Sequence, residues 1–245
     1  MKAVAEAAGC EESAILGHDL FLCARQKGIT WGTNGEFISS ACLDDLQCAF
    51  GCYKGFMAAS ESKHVPMFVL FDNEEVGSST KQGADGTFLE EVTEKICAAF
   101  GVEKASAAAN SFMVSADNAH AVHPNHPEYA DATHRPKMNG GIVIKHGTRY
   151  ATDGASQAVF AAVCKKAEVP IQYFFNRSDL TGGGTLGNIS IAHISLNTVD
   201  IGLPQLAMHS CFETGGSMDT EYLVKAMTAF YSSSFYETNG TFRLK

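Results

Sequence analysis

Apolar runs of strand length alternate along this chain with longer stretches whose apolar residues recur every three to four positions, the pattern of an α/β protein. Val65–Phe71 reads V-P-M-F-V-L-F, a continuous run suited to a strand buried on both faces. Ser111–Ala116, Gly141–Lys145 and Ile171–Phe175 read similarly, and Ile189–Leu196 alternates loosely. Helical spacing marks Asp44–Ala59, Leu89–Phe100, Gly154–Ala167 and Thr220–Ser232; the last places Leu223, Val224, Met227, Phe230 and Tyr231 on one stripe. Before residue 36 the pattern is weaker: Leu20–Ala24 suits one strand, and Gly28, Gly32 and Gly35 punctuate a loop.

Composition narrows the picture. The chain has 245 residues, 45% hydrophobic and 18% charged, enough to bury a sizeable core. A net charge of −9, with 18 Lys and Arg scattered thinly, excludes the clustered cations of a nucleic-acid partner. No apolar run approaches the roughly 18 residues of a membrane span, and the first residues turn acidic at Glu11 and Glu12, unlike a signal peptide. Eight cysteines without a C-x-x-C pair read as reduced thiols, which points to a cytoplasmic protein.

The polar chemistry gathers where apolar runs end. Val65–Phe71 leads into Asp72-Asn73-Glu74-Glu75, and Ser111–Ala116 into Asp117, with His120 and His123 beyond. Ile201–Met208 ends at His209, and Asp44 and Asp45 follow Phe37-Ile-Ser-Ser. Ligands of open α/β sheets bind outside the carboxyl ends of the strands, so four segments could deliver Asp, Glu and His to one crevice. Converging carboxylates repel unless a cation holds them, and this donor set suits Zn²⁺, with Mn²⁺ or Co²⁺ as alternatives. Of the adjacent Glu74 and Glu75, one can bind metal while the other takes a proton from water. Each piece has a plainer reading: Asp44 and Asp72 as helix caps, His209 as a structural histidine, His120 and His123 as loop hydrogen-bonders. The joint occurrence favours metal. Gly182, Gly184 and Gly187 satisfy G-x-G-x-x-G, but residues 176–181 separate them from the preceding strand and a strand-like run follows, so the loop reads as a wall against substrate rather than a nucleotide cradle.

L-D-D-L at 43–46, F-D-N-E-E-V-G-S-S-T at 71–80, S-A-D-N-A-H-A-V-H-P-N at 115–125, S-D-L-T-G-G-G-T-L-G at 178–187 and A-M-H-S at 207–210 occur in an order and spacing that resemble the M18 metallo-aminopeptidases, the aspartyl aminopeptidase group. The resemblance implies a three-layer zinc-peptidase-like sandwich, with a mixed, mainly parallel sheet between helices. It implies two divalent metal ions, with Asp44 bridging them, Glu75, Asp117 and His209 as further ligands, and Glu74 as general base. Lys145, His120, His123, Gly183 and Gly184 fall where substrate contacts are expected, the lysine suiting an acidic N-terminal Asp or Glu. The implied activity is removal of such residues from peptides by a homo-oligomer, a tetrahedral dodecamer in the family. Residues 1–35 resemble the tail of an inserted dimerisation domain with a re-entry strand, and 36–245 the catalytic domain. His18-Asp19-Leu20 lacks the H-x-D spacing that family members carry in an N-terminal segment, so the chain resembles the C-terminal part of a longer protein. The competing expectation is a non-catalytic assembly subunit with an incomplete metal site.

Overall fold

The computed structural model describes residues 1–238 and 241–244. In chain order its elements are α1 (Lys2–Ala8), β1 (Ile29–Trp31), β2 (Phe37–Ser40), α2 (Leu43–Ala58), α3 (Phe88–Phe100), α4 (Lys104–Ala109), β3 (Phe112–Ala116), β4 (Ala119–His120) and β5 (Ile142–His146). They continue with α5 (Gly154–Lys166), β6 (Ile171–Phe175), α6 (Leu186–His193), β7 (Asn197–Gly202), β8 (Pro204–Leu206), β9 (Glu213–Gly216), α7 (Ser217–Tyr231), β10 (Phe235–Thr238) and β11 (Thr241–Leu244).

The runs rich in Ile and Val make the central sheet, ordered β3-β7-β5-β6, in which β3–β7 and β5–β6 are parallel and β5–β7 antiparallel. Ile142, Val143, Ile144, Val199 and Ile201 are fully buried in it. On one side α2, α5 and α7 close over Phe160, Leu223 and Met227; on the other, Leu89, Ala108 and Ile194 from the α3, α4 and α6 side form a smaller cluster. This is the three-layer α/β sandwich with a mixed sheet between helices. α2 and α7 lie close because α2 carries Gly51 and Gly55: a Cβ at either would come within 2.6 Å of Leu223 or Met227. Alanine there would overpack the core, at about 1–3 kcal/mol.

A second sheet, ordered β1-β2-β9-β8-β4, lies at the ends of the core strands. It is antiparallel except for β4–β8. β2, β8 and β4 each run directly into or out of a candidate site segment, so this sheet positions the chemistry.

Three expectations are corrected. Val65–Phe71 has no ladder partner among the described residues, and Val65 and Leu70 are exposed. Its side chains still alternate as in a strand, Met67, Val69 and Phe71 facing the α3–α4–α6 cluster and Phe68 the α2 side; Pro66 has no N–H to give a ladder. Ile189–Leu196 is not a strand: α6 occupies most of it, and the buried positions Gly187, Ser190 and Ile194 follow a helical spacing that overrides the loose alternation. Leu20–Ala24 has no strand partner among the described residues, and Phe21 and Leu22 stand out in solvent. No helix is long and apolar enough to cross a membrane among the described residues.

Candidate metal centre

Asp44 enters the site from the end of β2, where Cys42 at φ 56° turns the chain into α2. Asp44 and Asp45 have non-helical backbone, so both carboxylates leave the helix and turn inward. Glu74 and Glu75 sit on a single 3-10 turn, Glu74–Val76, entered through Asn73 at φ 60°. The turn is closed by Gly77 N–H donating to Glu74 C=O and Ser78 N–H to Asn73 C=O, both at 2.9 Å, and Asn73 Nδ2 donates to Thr80 Oγ1 at 3.1 Å. Asp117 follows β3, and His209 follows β8 with its backbone at φ 67°. Left-handed backbone at a side-chain-bearing residue costs roughly 1–2 kcal/mol, and Cys42, Asn73 and His209 place it beside or at the ligand candidates.

These turns bring the acids together. Asp44, Glu75 and His209 each present a ligand atom within 4.8 Å of one another, and so do Asp44, Asp45 and Asp117; Asp44 belongs to both sets. His209 Nε2 lies 3.2 Å from Asp44 Oδ2 and 3.1 Å from Glu75 Oε2. Asp44 Oδ1 is buried without a hydrogen-bond partner among the described residues. A buried carboxylate oxygen with no donor, facing other carboxylates, fits a cation: the residues present are those that would hold zinc.

The electrostatics agree. Burial first, then the charges of Asp117 and Glu75, push Asp44 up to about 8. The same causes in the same order raise Glu74 to about 7, against the opposing pull of Lys145 and His209. Asp45 is held well above the carboxylate range, chiefly by burial. A carboxylate near 7 is suited to exchange a proton with water at neutral pH.

A cavity of about 610 Å³ opens over this cluster and is lined by Asp44, Glu74, Glu75, Asp117 and His209. Its other walls include Lys145, His120, His123, Gly183 and Gly184, so all the residues to which the sequence gave a catalytic, metal or substrate role share one pocket. Lys145 lines the pocket from within its floor. It is 3% exposed and its Nζ donates to Asp117 Oδ2 at 3.2 Å, so its charge is already committed. Burial depresses the ammonium, but the charges of Asp117 and others outweigh that and hold it above its usual range. The pocket walls and the Lys145 charge hold His120 below the ordinary imidazole value. His123 Nδ1 accepts from Asn125 N–H at 3.2 Å on the outer rim. The glycine loop does lead into a helix, with Thr185 as its N-cap, contrary to the strand expected there.

Four residues at the site were given no role from the sequence. Asp45, named there only as the neighbour of Asp44, completes the second acid set. Asn118 is a buried hub: its N–H donates to Asp45 Oδ1 at 3.0 Å, and its Nδ2 to Leu43 C=O at 3.0 Å and Gln205 Oε1 at 2.9 Å. Glu213 and Asp200 are buried carboxylates on β9 and β7. Only Asp45 left a signal, its adjacency to Asp44; the others are single polar residues inside strands or turns.

The family model described as Aminopeptidase I zinc metalloprotease (M18) matches residues 1–231. A Clostridium novyi (strain NT) protein named "Probable M18 family aminopeptidase 2" is 44% identical over 237 residues, which is 95% of this chain and 55% of that protein. The crystal structure of yeast aminopeptidase 1 (Ape1) superposes with a TM-score of 0.80 at 33% identity, covering 94% of this chain and 54% of that one. A structure of the S. cerevisiae mApe1 dodecamer matches equally well, at TM-score 0.80, 33% identity, and 94% and 53% coverage. The chain spans about half the length of the curated relatives it matches.

Proposed function

The chain belongs to the M18 family of zinc metallo-aminopeptidases, and from that premise we propose that it carries the hydrolytic centre of an aminopeptidase acting on peptides with an acidic N-terminal residue. The observation that carries this reading is Asp44, shared by two ligand sets and holding a buried oxygen without a donor. In this reading Asp44, Glu75 and His209 would hold one zinc ion, and Asp44 and Asp117, with Asp45 beside them, would hold a second.

Bound zinc would lower the pKa of water and polarise the scissile carbonyl. The chain's own residues do the rest. A Glu74 carboxylate oxygen takes the proton from the attacking water and returns it to the leaving amine, which its value near 7 allows in both directions. Lys145 holds Asp117 in place and adds a cation to the pocket wall. His120 and His123 on the same walls offer ring nitrogens that can donate to an acidic side chain, and Arg177 adds a guanidinium beside them. Gly183 has nothing within 4 Å of where a Cβ would stand, which leaves room for a peptide backbone against the loop.

Residues 1–35 read as the tail of an oligomerisation region: Leu16, Phe21 and Leu22 are exposed on an arm that buries little, and an interface between copies would cover them. Homo-oligomerisation, a dodecamer as in mApe1, is the corresponding assembly. The eight free thiols suit a reducing, cytoplasmic compartment.

The test is zinc titration of the purified chain followed by hydrolysis of an Asp- or Glu-terminal chromogenic peptide. Zinc uptake with turnover, faster for acidic than for Leu-terminal peptide, is expected. Absence of zinc uptake sinks the reading. Uptake without turnover selects the second reading, a non-catalytic assembly subunit, which the all-carboxylate composition of Asp44, Asp45 and Asp117 favours: that set offers zinc no nitrogen ligand.

A further inference from the structure

Glu213 opens β9, the strand between β2 and β8 in the second sheet. β2 delivers Asp44 and β8 delivers His209, so Glu213 lies between the two segments that must meet at the metal. Its side chain is buried, the residue being 2% exposed. One carboxylate oxygen, Oε2, accepts the backbone N–H of Asp44 at 2.9 Å; the other, Oε1, accepts the backbone N–H of His209 at 2.6 Å. Both bonds are charge-assisted and both restrain backbone rather than a ligand side chain. The backbone they restrain departs from regular geometry: His209 is left-handed, and Asp44 is non-helical two residues after left-handed Cys42. Such conformations persist only where their surroundings hold them.

We propose that Glu213 is a positioning residue that clamps Asp44 and His209 at the spacing needed to grip zinc, one carboxylate tying two ligand backbones together. The proposal rests on the zinc reading above. A ligand held before the metal arrives loses less freedom on binding, and partners outside the ligand shell typically contribute 10–100-fold to metal affinity.

The variants are Glu213→Gln, which keeps one acceptor oxygen, and Glu213→Ala, which keeps neither. Ser39→Ala serves as a control, because Ser39 Oγ bonds Thr214 Oγ1 at 2.7 Å between the same two strands without touching a ligand backbone. Each metal-free protein is titrated with zinc by calorimetry, its Co²⁺ absorption spectrum is recorded, and its melting temperature is measured without metal. The expected result is a loss of zinc affinity of about 10-fold in Glu213→Gln and about 100-fold in Glu213→Ala, with a shifted Co²⁺ spectrum. Glu213→Gln should melt near the parent without metal, and Ser39→Ala should bind zinc as the parent does. Parent-like zinc affinity in both Glu213 variants, or an equal loss in Ser39→Ala, overturns the clamp while leaving the zinc reading standing. A parent chain that takes up no zinc overturns both.

Discussion

Two groups of buried carboxylates meet at Asp117, and they are neutralised in opposite ways. Across the central sheet, Ser115 pairs with Asp200, and Ile144 with Ile201, which brings Lys145 beside Asp200 on the next rung. Lys145 thus lies between Asp117 and Asp200, and the row carries its own cation. On the other side of Asp117, the carboxylates of Asp44 and Glu75 have, among the described residues, an imidazole as their one ion-pair partner, that of His209, and Asp45 feels the Lys145 charge against a larger rise from burial. Two like charges 4 Å apart repel by about 4 kcal/mol in a partly buried setting. A fold that supplies a lysine to one half of an acidic cluster and withholds one from the other has left the second half for a cation from outside. The compensated row should therefore govern stability and the uncompensated pole chemistry.

The sharpest division would come from Glu74→Gln. Removing the proton acceptor at the pole should lower turnover by at least about 10³-fold, some 4 kcal/mol of barrier, while zinc affinity and melting temperature hold or rise. A variant with near-parental turnover would end the assignment of Glu74 as base. Lys145→Met is the converse experiment. It leaves Asp117 and Asp200 as buried charges without a partner, and unfolding by urea should report a loss of about 3 kcal/mol or more. Were stability unchanged, the row would not be the structural half.

Much of this division was legible in the residues. The helices over 44–59, 89–100, 154–167 and 220–232 and the strand over 171–175 lie within a few residues of the elements observed, because each carries one unambiguous period. The four segments carrying Asp44, Glu74 and Glu75, Asp117, and His209 converge because acids follow apolar runs, which is itself a sequence pattern. What stayed hidden depends on register. Lys145 reads as a free cation until the sheet pairing puts it beside two acids. Glu213 reads as a surface acid until β9 is placed between β2 and β8. Ile189–Leu196 misleads because polar Ser190 and Ser195 imitate alternation, whereas α6 buries Ser190 and follows a helical spacing.

Metal and pH offer a smaller effect with a definite sign. Asp44 and Glu74 titrate near 8 and 7 in the metal-free fold, both raised above the range near 4 that the unfolded chain has. Their charged forms therefore cost stability: it is greatest below about pH 4, falls as pH rises, and levels above about 8. Zinc takes the place of those protons, so its stabilisation should grow from pH 6 to pH 8. At a free concentration 100 times its Kd it reaches about 2.7 kcal/mol, a rise of roughly 5–10 °C by calorimetry. A zinc effect that shrinks over this range would mean that some other group dominates the pole.

The smallest effect tests the row from within. Asp200 is fully buried, with Oδ2 accepting from Ala151 N–H and its own N–H donating to Thr152 Oγ1 at 2.8 Å. Burial raises its pKa, while Ser115, the Ala151 N–H and the Lys145 charge pull it back. Two opposing terms thus act on Asp200→Asn: it relieves a buried charge, and it deprives Lys145 of one of its two acids. With Lys145 present they should nearly cancel, leaving a change within about 1 kcal/mol at pH 7. In a Lys145→Met background only the relief remains, and the same substitution should restore about 1–2 kcal/mol. That difference between the two backgrounds, read from urea unfolding of the four proteins, is the coupling between Asp200 and Lys145. If Asp200→Asn had the same effect in both backgrounds, Lys145 would serve Asp117 alone, and the contrast between row and pole would reduce to a single ion pair.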